Sequence, residues 1–197
     1  MEFQSFLGFD RAVFEWIERT FFDRGISAVL TPVMAFITHL GDSGIFWIAL
    51  AICLVIFKKT RKYGLILTVG LAFMLLLNDI ILKPLIARPR PFDIAQWKDW
   101  FVYPEIISRP SGFSFPSGHT SCSFASATAL TATKKKSVYI LAFALAALIG
   151  FSRIYLHVHY CTDVLFGAVA GVIYGLAAIC AVALITRLVS KYASKKA

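Results

Sequence analysis

The stretch 164-VLFGAVAGVIYGLAAICAVALIT-186 contains no charged residue. A run of about 20 apolar residues is long enough to cross the hydrocarbon of a bilayer as one helix. Directly before it, the segment 152-SRIYLHVHYCTD-163 carries one arginine, two histidines and one aspartate. These polar residues therefore lie where a predicted membrane-spanning helix begins, at one surface of the bilayer.

Five further apolar stretches extend this pattern along the chain. They are Ile26 to Leu40, Ile45 to Phe57, Gly64 to Leu82, His119 to Thr133 and Ser137 to Leu156. None alternates as a β-strand does, so the sequence predicts an all-α fold: a polytopic membrane protein with six transmembrane helices in a bundle, formed by one domain over residues 1–197. Residues 119–133 are rich in Ser, Thr and Ala, and we expect neighbouring helices to shield them.

The composition agrees with a membrane protein. Hydrophobic residues make up 58% of the chain and charged residues 16%, and the mean hydropathy is +0.73. These values exclude a disordered chain and an ordinary water-soluble domain. A net charge of +9 often indicates nucleic acid, but in so apolar a chain we expect a lipid bilayer as the partner and no nucleic acid.

Two segments lie outside the predicted spans. In residues 1–24, Asp10 can cap a helix whose apolar face includes Phe14 and Ile17, which predicts an interfacial amphipathic helix. A helix packed on the bundle fits the same pattern equally well. Residues 84–116 hold six of the seven prolines and are predicted to form one long extracytoplasmic loop.

Fourteen of the 20 lysines and arginines are predicted to lie at one face of the membrane. They are Arg11, Arg19 and Arg24, the cations of the turns 58-KKTRK-62 and 134-KKK-136, and Arg187, Lys191, Lys195 and Lys196 in the tail. The positive-inside rule puts this face, and with it both termini, in the cytoplasm, as expected for a multi-pass plasma-membrane protein. The remaining six lie on the extracytoplasmic face: Lys83, Arg88, Arg90, Lys98, Arg109 and Arg153.

Three polar segments are predicted to meet at the extracytoplasmic face. They are 83-KPLIARPRP-91, 116-PSGH-119 and residues 152–163. The planar fork of arginine and the point charge of lysine suit phosphate oxygens, and the N–H groups at the start of a helix attract anions. The candidate phosphate-binding residues are therefore Lys83, Arg90, Ser117, Gly118 and Arg153.

The histidines of these segments indicate phosphoryl-transfer chemistry. His159 and Asp163 are four residues apart, so they share one face if a helix begins here, and the carboxylate can fix the tautomer of the ring. This spacing predicts His159 as a nucleophile that forms a phosphohistidine, with Asp163 as its partner. His119 would protonate the leaving oxygen and later deprotonate a water. The scheme needs no metal and no cofactor.

Other polar residues of this face have plainer interpretations. Four of them are typical of interfacial anchors: Arg88, Lys98, Arg109 and His39. Asp79 lies one helical turn before Lys83 and is interpreted as its structural partner. His157 is two residues from His159, so on a helix it points away from the site.

These motifs resemble the tripartite signature of the type 2 phosphatidic acid phosphatase (PAP2) family, also called lipid phosphate phosphatases. The signature is K-x6-R-P, then P-S-G-H, then S-R-x5-H-x3-D. Here it runs from Lys83 to Pro91, from Pro116 to His119 and from Ser152 to Asp163. The resemblance implies a six-helix bundle with a metal-independent phosphatase site at the outer leaflet, in which these residues take the roles given above.

By this resemblance, the expected function is hydrolysis of a phosphomonoester or pyrophosphate of a membrane lipid. The candidate substrates are phosphatidylglycerol phosphate, phosphatidic acid and undecaprenyl pyrophosphate, and the sequence does not choose among them or indicate an oligomeric state. Two alternatives stay open: a lipid phosphotransferase of the same superfamily, and a non-catalytic transporter of lipid phosphates. The pair of His159 and Asp163 together with His119 favours an enzyme, because binding alone does not require it.

Overall fold

The computed structural model of this chain describes residues 4–94 and 106–194, and every regular element within these ranges is a helix. The α-helices are α1 (Gln4–Ile17), α2 (Ser27–His39), α3 (Ile45–Ile56), α4 (Arg61–Phe73), α5 (Lys83–Ile86), α6 (Gly118–Leu130), α7 (Lys136–Tyr155) and α8 (Cys161–Ser194). Helices α1 and α4 continue as π-helical turns over Glu18–Phe22 and Met74–Leu82. The predicted all-α class is confirmed, and Lys98 lies outside the described residues.

Helix α6 forms the centre of the bundle and packs against α4, α7 and α8. Its side chains from Thr120 to Leu130 are almost all buried, which confirms that this weakly apolar helix is shielded. Glycines of α8 let the two backbones approach: a Cβ on Gly171 would lie 2.5 Å from the Ser121 carbonyl oxygen, and one on Gly175 would lie 2.5 Å from the Thr128 Cβ. The small residues of both helices therefore fix their separation.

Among the described residues, three helices are long and apolar enough to cross a bilayer: α4 with its π-helical continuation, α7 and α8. Helices α2 and α3 pass the same test only together, as a pair bent by 40°. Contacts place α2 at one end of the bundle, because Thr31 Oγ1 is 2.8 Å from Tyr155 Oη and Arg153 Nη1 donates to Thr38 Oγ1 at 2.6 Å. With 13 residues, α2 is short for a span of its own, so the separate span over Ile26 to Leu40 stays a prediction.

Helix α1 packs against this same end of the bundle. Phe14 and Ile17 are buried in a core that also contains Tyr155 and Val158, and Asp10 is fully buried. This packing fits the second alternative for the N-terminal segment, a helix packed on the bundle, and a location of this helix at the membrane interface stays a prediction. Burial of one apolar face against the bundle accounts for the amphipathic pattern.

The two ends of the bundle differ in charge and in the segments they carry. The basic turns at residues 58–62 and 134–136 join α3 to α4 and α6 to α7 at one end, and the C-terminal half of α8 lies at this end. Helix α1 and the turn at residues 156–160 lie at the other end. The six passages and the location of both termini on one side of the membrane stay predictions, since in the described residues three helices, or four passages with the bent pair of α2 and α3, meet the length and hydropathy expected of a span.

Candidate active site

A cavity of about 510 Å³ lies at the end of the bundle that carries α1. Six predicted site residues line it: Lys83, Arg90, Gly118, His119, Arg153 and His159. Because these residues come from all three motifs, the structure brings the three segments together as the sequence predicts. The wall between the motifs is completed by loop residues 110–111 and by the turn that joins α2 to α3.

Two further predicted residues lie behind the cavity wall. Asp163 is fully buried at the start of α8 and contacts His159. The Ser117 amide donates to the Asp163 carbonyl oxygen at 3.1 Å, and the Ser117 hydroxyl accepts a hydrogen bond from Thr120 at 3.0 Å. These bonds hold the start of α6 against the start of α8, so this geometry gives Ser117 a structural position rather than a place among the cavity-lining groups.

His159 lies between a carboxylate and a guanidinium. Its Nδ1 atom is 3.3 Å from Asp163 Oδ2, and its Nε2 atom is 3.2 Å from Arg90 Nη1. This arrangement fits the tautomer in which Nδ1 carries the proton and faces Asp163, while the Nε2 lone pair accepts from Arg90. Burial, together with the charges of Arg90 and Arg153, holds the pKa of His159 well below its usual value, so the ring is neutral.

Asp163 is held by more donors than its histidine partner alone. The Tyr160 amide donates to Oδ2 at 3.0 Å, the Ser114 hydroxyl donates to the same oxygen, and Arg88 donates to Oδ1. A buried carboxylate needs such partners, because leaving it unpaired costs several kcal/mol. Sequence reasoning missed Ser114, which lies two residues before the P-S-G-H motif and has no spacing signal of its own.

Arg88 is part of this network, so its interpretation as an interfacial anchor is wrong. Its side chain is buried, and its second terminal nitrogen donates to Asp10 Oδ2 at 2.7 Å. Asp10 in turn accepts from the Thr162 amide at 2.9 Å and from the Thr162 hydroxyl at 2.7 Å. The N-terminal helix is thereby fixed to the residue that precedes Asp163 in α8.

The three predicted phosphate cations are oriented by neighbouring groups. Lys83 Nζ is 2.7 Å from Asp79 Oδ1, which confirms the predicted partnership. Arg90 donates to the carbonyl oxygens of Gly112 and Val158, each at 2.9 Å, and Arg153 is held by Thr38. Fixed orientation matters, because donors that are already aligned stabilise a developing charge without reorganisation.

The structure also pairs His119 with a carboxylate that the sequence analysis did not identify. His119 Nε2 is 2.8 Å from Asp42 Oδ1, and His39 Nδ1 is 2.6 Å from Asp42 Oδ2. The hydrogen bond to His119, with a smaller contribution from His39, lowers the pKa of Asp42 to about 2, so this carboxylate is ionised. His39, interpreted as an interfacial anchor, forms a hydrogen bond with Asp42.

The remaining polar residues of this end lie away from the cavity or at its outer edge. Arg109 borders a second, smaller cavity of about 320 Å³ and lies over the Phe92 ring, with its guanidinium carbon 5.7 Å from the ring centroid. His157 is buried beside Phe14, and its Nε2 atom is 3.2 Å from Glu18 Oε1. The prediction that His157 points away from the site agrees with this position.

Fold and site together define a class: helical proteins with membrane-type helices and a cationic, histidine-containing cavity at one end of the bundle. The chain belongs to the PAP2 superfamily, whose family model matches residues 63–187. This matched region contains all three motifs and both histidine rings of the cavity.

Named relatives and a solved structure are similar over most of the chain. An undecaprenyl-diphosphatase of Sulfolobus acidocaldarius is 33% identical over 146 residues, which are 73% of this chain and 66% of the relative. The phosphatidylglycerophosphatase B of Bacillus subtilis is 35% identical over 157 residues, which are 73% of this chain and 71% of the relative. The crystal structure of Aquifex aeolicus LpxE has a TM-score of 0.67 and 28% identity, and the match covers 85% of this chain and 93% of that one.

Proposed function

We propose that the protein is an integral membrane lipid phosphatase that hydrolyses a phosphomonoester or pyrophosphate of a membrane lipid. The observation that carries the proposal is the single cavity lined by His159, His119 and the cations Lys83, Arg90 and Arg153. The names of the relatives, an undecaprenyl-diphosphatase and a phosphatidylglycerophosphatase B, support a phosphorylated membrane lipid as the substrate class.

In the first step, Nε2 of neutral His159 attacks phosphorus. The bond between phosphorus and the leaving oxygen breaks, its electron pair stays on that oxygen, and His119 donates a proton to it. Asp163 stabilises the positive charge that forms on the phosphorylated ring. The three cations neutralise the equatorial oxygens, and each is worth roughly 3 kcal/mol by comparison with deletions of oxyanion-hole donors.

In the second step, water attacks the phosphohistidine. His119, which is now neutral, takes a proton from this water, the bond between phosphorus and Nε2 breaks, and inorganic phosphate leaves. His159 returns to its neutral form with the proton on Nδ1, and His119 returns to its protonated form. The cycle thus uses His159 as the nucleophile and His119 as the acid and base.

The lipid enters the cavity from the side of the bundle. Met74, Leu75 and Cys122 give the cavity an apolar wall next to the cationic one, so the chains can stay in hydrocarbon while the phosphate reaches His159. The site end faces the extracytoplasmic side, because the basic turns 58–62 and 134–136 lie at the opposite end. A reporter domain fused after the C-terminus tests this orientation and should be found in the cytoplasm.

The deciding experiment measures inorganic phosphate released by the purified protein in detergent with excess EDTA. Phosphatidylglycerol phosphate, phosphatidic acid and undecaprenyl pyrophosphate are compared by kcat/KM, with His159→Ala as the inactive control. We expect turnover of at least one lipid without added metal. Transfer of phosphate to another lipid without free phosphate would indicate a phosphotransferase, and binding without turnover would indicate a transporter.

A further inference from the structure

The turn between α2 and α3 is built against the ring of His119. A Cβ on Gly41 would lie only 2.8 Å from His119 Cδ2, so only glycine fits at this position without a shift. The next residue, Asp42, places Oδ1 2.8 Å from His119 Nε2, while its Oδ2 lies 2.6 Å from His39 Nδ1. The two residues after it, Ser43 and Gly44, have φ of 51° and 66°, which is the left-handed region and closes the turn tightly.

We propose that Asp42 is a positioning residue for the proton donor, which holds Nε2–H of His119 so that the other ring nitrogen serves the leaving oxygen and then the attacking water. The inference rests on the function proposed above and adds a residue that the three motifs do not contain. His39 closes the arrangement from the solvent side by donating to the second oxygen of the same carboxylate.

Charge balance gives Asp42 a second effect on His119. His119 lines both cavities of this end, and the charged or titratable groups that line them with it are Asp42, Asp79, Lys83, Arg90, Arg109, Arg153, His39, His159 and Cys122. Four of these are lysine or arginine cations that disfavour an imidazolium, and Asp79 is already paired with Lys83. Asp42 is therefore the carboxylate that favours the protonated, donor form of His119.

The test compares two leaving groups in the full-length purified protein. An alkyl phosphate lipid needs a proton on its leaving oxygen, whereas 4-nitrophenyl phosphate releases a phenolate that leaves without one. We expect Asp42→Asn to lower the rate of leaving-group release, measured in a single turnover with enzyme in excess so that only the first step is observed, about 100-fold for the lipid, in the range of general acid catalysis, and less than about fivefold for the aryl phosphate. Loss by the same factor on both substrates would overturn the inference, because it is the pattern of a general structural defect.

Two variants and the pH profile complete the experiment. Asp42→Glu keeps the charge and should restore most of the lipid activity, and Asp42→Asn in a His119→Ala background should cost nothing further, because both residues then act on one step. In Asp42→Asn the alkaline limb of kcat/KM should move to lower pH by about one unit, because the imidazolium loses its counter-charge. An unmoved limb, or full additivity with His119→Ala, contradicts the inference.

The control is Asp23→Asn, which makes the same change at an exposed residue after the first π-helical turn and should leave both activities unaltered. Failure of the inference is distinguishable from failure of the proposed function. If the wild-type protein releases no phosphate from any lipid, the proposed function is wrong. If the wild-type protein is active and Asp42→Asn behaves like Asp23→Asn, only the role of Asp42 is wrong.

Discussion

The site contains two pairs of histidine and aspartate whose surroundings differ. His159 and Asp163 are 2% and 0% exposed, and Asp163 is held by an arginine, a serine hydroxyl and a backbone amide besides its histidine. His119 and Asp42 are 19% and 44% exposed, and Asp42 has two histidine partners. A buried carboxylate such as Asp163 needs a fixed and complete set of donors, whereas the histidine proposed to exchange protons with the leaving oxygen and the attacking water must reach the cavity.

The largest expected effect comes from breaking the buried pair at its histidine. His159→Ala removes the atom that forms the covalent bond, so we expect kcat on a lipid phosphate to fall on the order of 10⁴-fold or more. His119→Ala should also be severe on the lipid, because it removes the acid of the first step. Phosphate release per folded protein measures both losses.

His157→Ala is the matched control for these two variants, since this histidine lies in the same turn as His159 but faces Glu18. It should keep most of the activity. Equal loss in all three variants would contradict the assignment of the nucleophile, and retention of activity in His159→Ala would exclude the phosphohistidine.

The difference between the pairs also explains what the sequence could predict. His159 and Asp163 are local in sequence, and with Lys83, Arg90 and His119 they stand in motifs whose residue types suggest phosphate chemistry directly. Asp42 lies in a short polar turn between two apolar stretches, where an aspartate is common for reasons unrelated to function. Its role follows only from the packing of this turn against α6, which no periodicity encodes.

Arg88 and Asp10 illustrate the same limit. Arg88 is two residues from Arg90, and a cation at a helix end is usually an anchor, so no pattern in the sequence pairs it with a residue 78 positions away. The segment of α2 shows a related limit. An apolar stretch of moderate length is compatible with a full span or with a helix at one end of the bundle, and the sequence contains no signal for the contacts of α2 with Tyr155 and Arg153.

The second variant removes a hydrogen-bond donor of Asp163 and leaves His159 unchanged. Arg88→Ala leaves Asp10 and Asp163 buried without their common cation, so we expect the free energy of unfolding to fall by about 3 to 5 kcal/mol, with a parallel loss of activity. Unfolding by a denaturing detergent measures the first effect. Asp42→Asn, at the exposed pair, should reduce lipid hydrolysis with little change in stability.

Arg11→Ala provides the control for Arg88→Ala, because Arg11 forms an exposed pair with Glu15 on the same N-terminal helix. Such surface pairs contribute about 1 kcal/mol or less. If Arg88→Ala were as stable as Arg11→Ala, the network that joins α1 to α8 would not contribute to the fold.

The third variant changes the distance between α6 and α8, which carry His119 and Asp163. His119 lies on α6 and Asp163 on α8, and a Cβ on Gly167 would lie 2.9 Å from the Ser117 carbonyl oxygen between them. Gly167→Ala should therefore force the helices apart and lower the free energy of unfolding by about 1 to 3 kcal/mol. Gly8→Ala, where a Cβ meets nothing within 4 Å, should not be destabilising. Equal thermal stability of the two variants would show that α6 and α8 can separate without cost.

The smallest effect concerns a third contact of histidine and carboxylate, between His157 and Glu18. Burial, followed by the charge of Asp23, raises the pKa of Glu18 from 4.5 to about 7. Burial lowers the pKa of His157 to about 3, so this histidine is neutral and does not provide a counter-charge. Glu18 therefore differs from Asp42, whose pKa is lowered by hydrogen bonds from two histidines.

This contrast predicts a pH-dependent stability. Between about pH 4.5 and 7 the folded protein keeps a proton on Glu18 that the unfolded chain has lost, so Glu18 makes the free energy of unfolding fall as the pH rises through this window. Glu18→Gln removes the effect, and its Tm should exceed that of the wild type by about 2 °C or more at pH 8 but not at pH 4.5. The same Tm difference at both pH values would contradict this prediction. It would mean that the pKa of Glu18 is the same in the folded protein as in the unfolded chain.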